Sequence, residues 1–522
     1  MRCYALVTAS VMTLPATALA PAASAFPQDL DPFRHLVSRA PVWRPCFTPN
    51  RQLKAAYQRL KCTEIKAPLD WRNPGGRKIT LAISRLPARG KARGVVFTNP
   101  GGPGVRGRFY PLEFINQKRE RLLDTMDIIG IDVRGTGYST QASCRKIDGK
   151  PLDPRDRSAA NTRALLAEAR RFARACQDSG NEKLPSQYVP TAQTVYDLEW
   201  IRRNLRTSRG GKVDKINMIG YSAGTWLGAY YARKWPKAVG RFVLDSVVDF
   251  SGTWQEHLGR QPAAYQKRFE TFADWAARYH AVFGLGRTRK AVLRRYERIR
   301  AAVARRGRVA CISTLGGLES LGPRELDTKI VASLRTKDQF IDLGRFLQAL
   351  SPLASGSRAG AAPSAVDPDA GGDATFVGIT CNDTAFTRTP ARQAAYSKQV
   401  GRRYPLHGYS LITDPCAYWK RHSGRLALRR PVGDGLPRVL MIQSTGDPAA
   451  PYGGALRAHR AYRASRLITV VHEGDHGIYS RTPNTCVNGI VERYLIDGVY
   501  PARDRTCPGL PLPVPRAKGR RS

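Results

Sequence analysis

The sequence predicts an α/β fold, a mostly parallel sheet covered by helices and interrupted by an inserted helical cap. Three observations predict it. Short apolar runs without polar alternation recur at Gly94–Thr98, Asp127–Val133, Lys215–Ile219, Arg241–Val248, Arg438–Ser444 and Leu467–Val471, as expected of strands buried on both faces. Between several of these runs lie stretches of helical character, Asn161–Gln177, Thr194–Leu205, Thr225–Arg233 and Gly453–Ala464. The alternation then stops between Asp249 and Pro431, where Ala263–Phe283, Thr288–Arg305 and Glu325–Leu350 read as further helices. A strand–helix alternation broken once and resumed is the pattern of a sheet domain with an insertion.

In chain order, Arg2 followed by a small, apolar stretch to Ala20 and the Ala23-Ser24-Ala25 site reads as a cleaved leader over 1–25. Residues 26–248 form the first part of the sheet domain. Ala67–Gly76 ends in a turn signal before the alternating run Lys78–Arg85, which predicts a hairpin. Residues 249–431 form the cap, with a Ser/Gly/Ala/Pro-rich loop at Ser355–Ala374. Residues 432–510 complete the sheet domain, and 511–522 is a basic tail. No later run is apolar and long enough to span a bilayer, so stable membrane insertion is not expected and the mature protein is expected outside the cytoplasm, secreted or periplasmic.

Export makes the cysteines intelligible, because oxidising compartments preserve disulfides. Nearest-neighbour pairing joins Cys46 to Cys62, Cys144 to Cys176, Cys381 to Cys416 and Cys486 to Cys507, and leaves Cys311 over. No C-x-x-C occurs, which argues against redox or zinc-ribbon chemistry. The chain carries 85 basic against 41 acidic residues, a formal charge of +44. These charges are spread along the chain, so they read as a solvated basic surface and not as a specific nucleic-acid site.

The chemistry is concentrated around Gly220-Tyr-Ser222-Ala-Gly224. This G-x-S-x-G turn sits between a strand and a helix, the context in which the motif presents a nucleophilic serine. A serine alcohol needs a base, and the base needs an orienting acid. Asp447 follows the Arg438–Ser444 strand and His476 follows the Leu467–Val471 strand. Ser, Asp, His is the chain order of the α/β-hydrolase triad, so Ser222 is expected as nucleophile, His476 as general base and Asp447 as its partner. The oxyanion donors are expected at the backbone of Ala223 and of Gly102, in Asn99-Pro-Gly-Gly-Pro-Gly104, with Gly101 the neighbouring alternative. This loop lacks the Gly-Lys-Ser/Thr ending of a phosphate-binding loop.

His472-Glu-Gly-Asp-His476 also spells H-E-x-x-H. That zinc pattern works on a helix, where positions i and i+4 share a face. Here a β-branched run precedes it and Gly474 lies within it. No metal or other cofactor is expected.

Asn99-Pro-Gly-Gly-Pro-Gly104, Asp132-Val-Arg-Gly-Thr-Gly-Tyr-Ser139, Gly220-Tyr-Ser-Ala-Gly-Thr225, Gly446-Asp-Pro-Ala-Ala-Pro451 and Gly474-Asp-His-Gly477 occur together. In this set the chain, from about Val42 to Pro508, resembles the secreted tripeptidyl aminopeptidase group of bacterial α/β-hydrolases. These are relatives of proline iminopeptidases, which carry His where Pro100 stands. The resemblance implies a serine exopeptidase acting on peptides with a free N-terminus. Such an enzyme needs a carboxylate for the substrate ammonium, and Glu256, Glu270 and Asp383 are the candidates in the cap. The same triad would serve a carboxylesterase or amidase. A basic polymer-binding protein on an inactive hydrolase core is a more distant alternative.

Overall fold

A computed structural model describes residues 32–34, 36–37, 40–48, 54–145, 152–178, 184–312, 318–355, 372–420 and 426–515. The expected leader, most of the 355–374 loop, the end of the basic tail and the side chain of Cys311 lie outside what is described. The strands are β1 (Arg44–Pro45), β2 (Lys61–Pro68), β3 (Lys78–Leu86), β4 (Val95–Asn99), β5 (Asp127–Ile131), β6 (Ile216–Tyr221), β7 (Val239–Asp245), β8 (Val309–Ile312), β9 (Leu318–Leu321), β10 (Val439–Ser444), β11 (Ser465–Val471) and β12 (Arg505–Pro508). All but β8 and β9 form one sheet in the order β1-β2-β3-β5-β4-β6-β7-β10-β11-β12.

From β5 to β12 every pairing is parallel. The antiparallel strands β1, β2 and β3 extend the β5 edge, and β2 with β3 is the expected hairpin. The parallel part has the apolar runs that burial on both faces requires. In β10, Val439 and Met441 face one core while Leu440 and Ile442 face the other, the period-two alternation of a strand. The strand order turns around at β4, which has β5 on one side and β6 on the other. Such a switch point opens a crevice at the carboxyl ends of the two strands, the usual ligand position of α/β sheets. Asn99 ends β4, and Ser222 follows β6.

Between β7 and β10 the chain forms an apolar cluster of its own, including Phe269, Phe272, Trp275, Tyr296, Leu326, Phe340 and Leu347. Its longest helix, Trp254–Arg278, starts nine residues before the expected Ala263. Thr253 and Glu256 close a capping box there, in which the Thr side chain accepts from the Glu N–H and the Glu side chain accepts from the Thr N–H. The stretch Glu325–Leu350, expected to hold one or two helices, holds two, Pro323–Ser333 and Phe340–Leu350. The region also contains the antiparallel pair β8–β9, which its helical reading did not include.

Disulfides join Cys46 to Cys62, Cys144 to Cys176, Cys381 to Cys416 and Cys486 to Cys507, the nearest-neighbour pattern. The Asp132–Ser139 motif has a structural role in the fold. Asp132 accepts from the N–H groups of Gly107, Arg108 and Tyr138. Arg134 is fully buried and makes a two-point bridge to Asp197 at 2.6 Å, while Trp71 donates to the same carboxylate. This knot holds the loop after β5 against the turn that follows β4.

Candidate active site

Strand β6 ends at Tyr221 and the helix Ala223–Lys234 begins at once, so Ser222 carries the whole turn. Its backbone stands at φ 54°, ψ −123°, a conformation that costs a non-glycine residue energy and persists only where its surroundings impose it. A Cβ on Gly220 would lie 2.4 Å from the Gly224 carbonyl oxygen, and one on Gly224 would lie 2.7 Å from that of Asn99. Both glycines of the motif are therefore sterically required, as the sharp turn predicts.

Asp447 and His476 meet. The Nδ1 of His476 lies 3.0 and 2.9 Å from the two carboxylate oxygens of Asp447. A carboxylate facing Nδ1 puts the ring proton there and leaves Nε2 as the acceptor. The Asp447 side chain is fully buried. Its Oδ1 accepts from the N–H groups of Ala449 and Ala450, both at 2.9 Å. His476 donates its own N–H to the Arg335 carbonyl at 2.8 Å.

One dipeptide, Asp245-Ser246 at the end of β7, brings the serine turn and the histidine loop together. The Asp245 carbonyl accepts from Ser222 N–H at 2.9 Å. Its side chain accepts from the N–H groups of Ile478 and Tyr479 at 2.9 and 2.7 Å. Ser246 Oγ accepts from Gly477 N–H at 2.7 Å. Burial pushes the Asp245 carboxyl up to about 6, against those amide bonds. Sequence reasoning missed this pair, and a lone Asp-Ser at a strand end carries no motif that would have found it.

The loop after β4 lies directly against the turn. A Cβ on Gly101 would be 2.8 Å from Ser222 Cβ and 3.1 Å from Ala223 N, an approach only glycine permits. Gly101 donates its N–H to Asn99 Oδ1. The N–H groups of Gly102 and Ala223 have no acceptor among the described residues, which leaves the expected pair available to a substrate oxygen. Beside them lies a small cavity of about 20 Å³ lined by Gly101, Ala223, Trp226, Leu227 and Trp254 among others. A larger cavity, about 610 Å³, lies around Arg202, Asp214 and Trp235, where β6 begins, at the other end of that strand from Ser222.

The H-E-x-x-H residues do not share a helix face. His472 stands at φ 58° just past β11, Glu473 pairs with Lys337, and His476 faces Asp447. Of the three cap carboxylates, Glu256 is used in the helix cap and Glu270 lies near Arg289 on the surface. Asp383 is half-buried, accepting from Thr191 N–H and Oγ1 and from the Trp226 and Trp254 indoles. Those three donors line the small cavity.

The profile of the TAP-like protein family matches residues 404–507. The tripeptidyl aminopeptidase of Streptomyces lividans is 31% identical over 484 residues, covering 87% of this chain and 85% of the relative. Serine protease Hip1 of Mycobacterium tuberculosis is 26% identical over 491 residues, covering 89% of this chain and 90% of the relative. Carboxylesterase B of Mycobacterium tuberculosis is 27% identical over 473 residues, covering 86% of each. With the mostly parallel sheet and its serine turn, these likenesses make the chain a serine hydrolase of the α/β-hydrolase fold that belongs to the tripeptidyl aminopeptidase family.

Proposed function

We propose that this protein is a secreted serine aminopeptidase that releases short peptides or single residues from free N-termini. The observation that carries the reading is the buried Asp447 carboxylate, seated on two amides and facing His476 Nδ1 with both oxygens. The serine turn beside the His476 loop has two neighbouring amides, Gly102 and Ala223, with no acceptor among the described residues. The full-length likeness to a tripeptidyl aminopeptidase supports the substrate class, and four disulfides support export.

In this reading Ser222 Oγ attacks the scissile carbonyl while His476 Nε2 takes its proton, and Asp447 stabilises the imidazolium. The tetrahedral oxyanion is held by the N–H groups of Gly102 and Ala223, the second at a helix N-terminus. Collapse breaks the C–N bond, and His476 returns the proton to the leaving amine. The N-terminal fragment stays on Ser222 as an ester. Water, deprotonated by His476, attacks that ester; the fragment leaves as a carboxylic acid and Ser222 regains its proton. Residues 26–248 and 432–510 form the catalytic domain, and 249–431 the cap that selects substrate.

A panel of chromogenic substrates tests this: free-amine amides of one, two and three residues, an N-acetylated tripeptide amide and a short-chain ester. Turnover of the free-amine amides far faster than of the acetylated amide or the ester, and abolished in Ser222→Ala, is the expected result, and its length profile gives the number of residues released. The likeness to carboxylesterase B makes esterase action the alternative. Ser222-dependent turnover of the ester alone would establish that instead.

A further inference from the structure

The cap contains a cavity of about 290 Å³, close to the lower end of ligand-site volumes, about 300–1,000 Å³. Its wall includes Gln261, Tyr265, Arg335, Thr380, His407 and Asp414. Shared elements join this cavity to the candidate active site. The helix Trp254–Arg278 places Trp254 in the small cavity beside Ala223, and Gln261 and Tyr265 in this one. The helix Gly372–Asp383 does the same with Ile379 and Thr380. Gln261 Nε2 donates to the Ala449 carbonyl at 2.8 Å, in the loop that carries Asp447. The Arg335 carbonyl accepts from His476 N–H.

Asp414 is the carboxylate of this wall. Its Oδ1 accepts from Cys416 N–H at 2.9 Å and caps the short turn Pro415–Tyr418. Its Oδ2 has no donor among the described residues. The disulfide Cys381–Cys416 ties that turn to the helix Gly372–Asp383, so the carboxylate is held in place. Cys381, Asp414 and Cys416 lie close enough together to suggest a metal site, but both sulfurs are committed to the disulfide and no thiolate is available.

The surrounding charges leave Asp414 open. Burial pushes the Asp414 carboxyl up to about 6, against the Cys416 amide and the Arg388 guanidinium, which leaves it mostly ionised at pH 7. That guanidinium stacks on Tyr396, 3.7 Å from the ring centre, and makes no ion pair with Asp414 among the described residues. Arg335 Nε donates to Tyr265 OH at 3.3 Å. Burial, with Arg335 nearby, pushes His407 down to about 4, so its ring is neutral at pH 7. The cavity therefore presents one carboxylate oxygen without a donor, and Arg335 on the side of the triad.

We propose that Asp414 receives the free ammonium of the peptide substrate, whose chain then runs past Arg335 to the scissile bond at Ser222. The inference rests on the aminopeptidase reading and names the group that would enforce it. An ammonium held at a charge-assisted hydrogen bond binds better than its acetylated counterpart, and Arg335 supplies donors for the intervening peptide carbonyls.

The test compares wild type with Asp414→Asn on a free-amine tripeptide amide and on the same amide N-acetylated. Asparagine keeps an oxygen for the Cys416 N–H and removes only the charge, so the melting temperature should hold. The expected result is a KM for the free-amine substrate raised about tenfold or more, with kcat within about threefold and the slower turnover of the acetylated substrate unchanged. Wild-type discrimination retained in Asp414→Asn would overturn the proposal. An equal loss on both substrates would assign Asp414 to cap structure and overturn it as well. A wild-type enzyme that cleaves both substrates equally would instead overturn the aminopeptidase reading, and the proposal with it.

Discussion

Four carboxylates belong to the His476 loop or bond to it, Asp447, Asp245, Glu473 and Asp475, and the sheet and the cap hold them by different means. On the sheet side, Asp447 and Asp245 are each seated on a pair of backbone amides, Ala449 and Ala450 for one, Ile478 and Tyr479 for the other. On the cap side, Glu473 and Asp475 add long basic side chains to their amides, Glu473 accepting from the N–H groups of Gly474, Asp475 and Leu510 as well. Arg268 reaches Asp475 at 2.8 Å, and Lys337 pairs with Glu473 and gives its backbone N–H to Asp475. Backbone amides cannot swing as a long side chain can, so the loops that follow the strands set the geometry of the candidate triad. The cap clamps the histidine loop onto that geometry through buried charges, and the position of His476 is therefore linked to the seating of the cap.

The largest effect is expected where the sheet side is broken chemically and not sterically. Asp447→Asn keeps the shape but turns an acceptor into a donor facing Nδ1, which forces the wrong histidine tautomer. We expect kcat to fall on the order of 10⁴-fold, with KM and melting temperature close to wild type. A loss under about tenfold would remove Asp447 from the triad. The next effect separates clamp from scaffold. Arg134→Met strands Asp197 in the core, whereas Arg268→Met removes one of two cations from Asp475, which keeps Lys337 Nζ at 3.5 Å. The first should cost about 3–5 kcal/mol in urea denaturation and the second less. Only Arg268→Met should also lower kcat per folded molecule, because only Asp475 adjoins His476. Equal kcat in both variants would show that the clamp carries stability alone.

The same division explains what could be read from the sequence. Ser222, Asp447 and His476 were legible because each follows a strand buried on both faces, whose apolar run stands out, and because their order matches a known arrangement. The loop at Gly101 and Gly102 was legible because close backbone approach demands glycine. Between the cap and the histidine loop, partners are far apart in sequence, 207 positions for Arg268 and Asp475, and no local pattern records such a pairing. The early start of the helix at Trp254 was in fact written in Thr253-x-x-Glu256, a capping-box signature. The β8–β9 pair is only four residues a strand, too short for periodicity to register against basic helices. Asp414 carried no signal beyond standing two residues before a cysteine. The acids singled out from sequence were Glu256, Glu270 and Asp383, and each has partners of its own: a helix cap, Arg289, and Thr191 with two indoles.

The smallest expected effect sharpens the comparison on the sheet side. Burial pushes the Asp245 carboxyl up to about 6, above the roughly 3.9 of an unfolded chain. Between those values the folded protein keeps a proton that the unfolded chain has released. The contribution of Asp245 to stability therefore falls as pH rises from about 4 to 6, and is constant once both states are ionised. Asp245→Asn removes that titration. It leaves one oxygen for Ile478 and Tyr479, and its new N–H groups can turn toward Ser246 Oγ. Urea midpoints taken from pH 4 to 8 should show wild type losing ground to the variant up to about pH 6 and running parallel to it above. Parallel curves throughout would mean that two amides outweigh burial and that Asp245 is ionised across the range. The amide seat alone would then be enough to hold a buried carboxylate charged, which would extend to Asp245 the arrangement that keeps Asp447 facing His476.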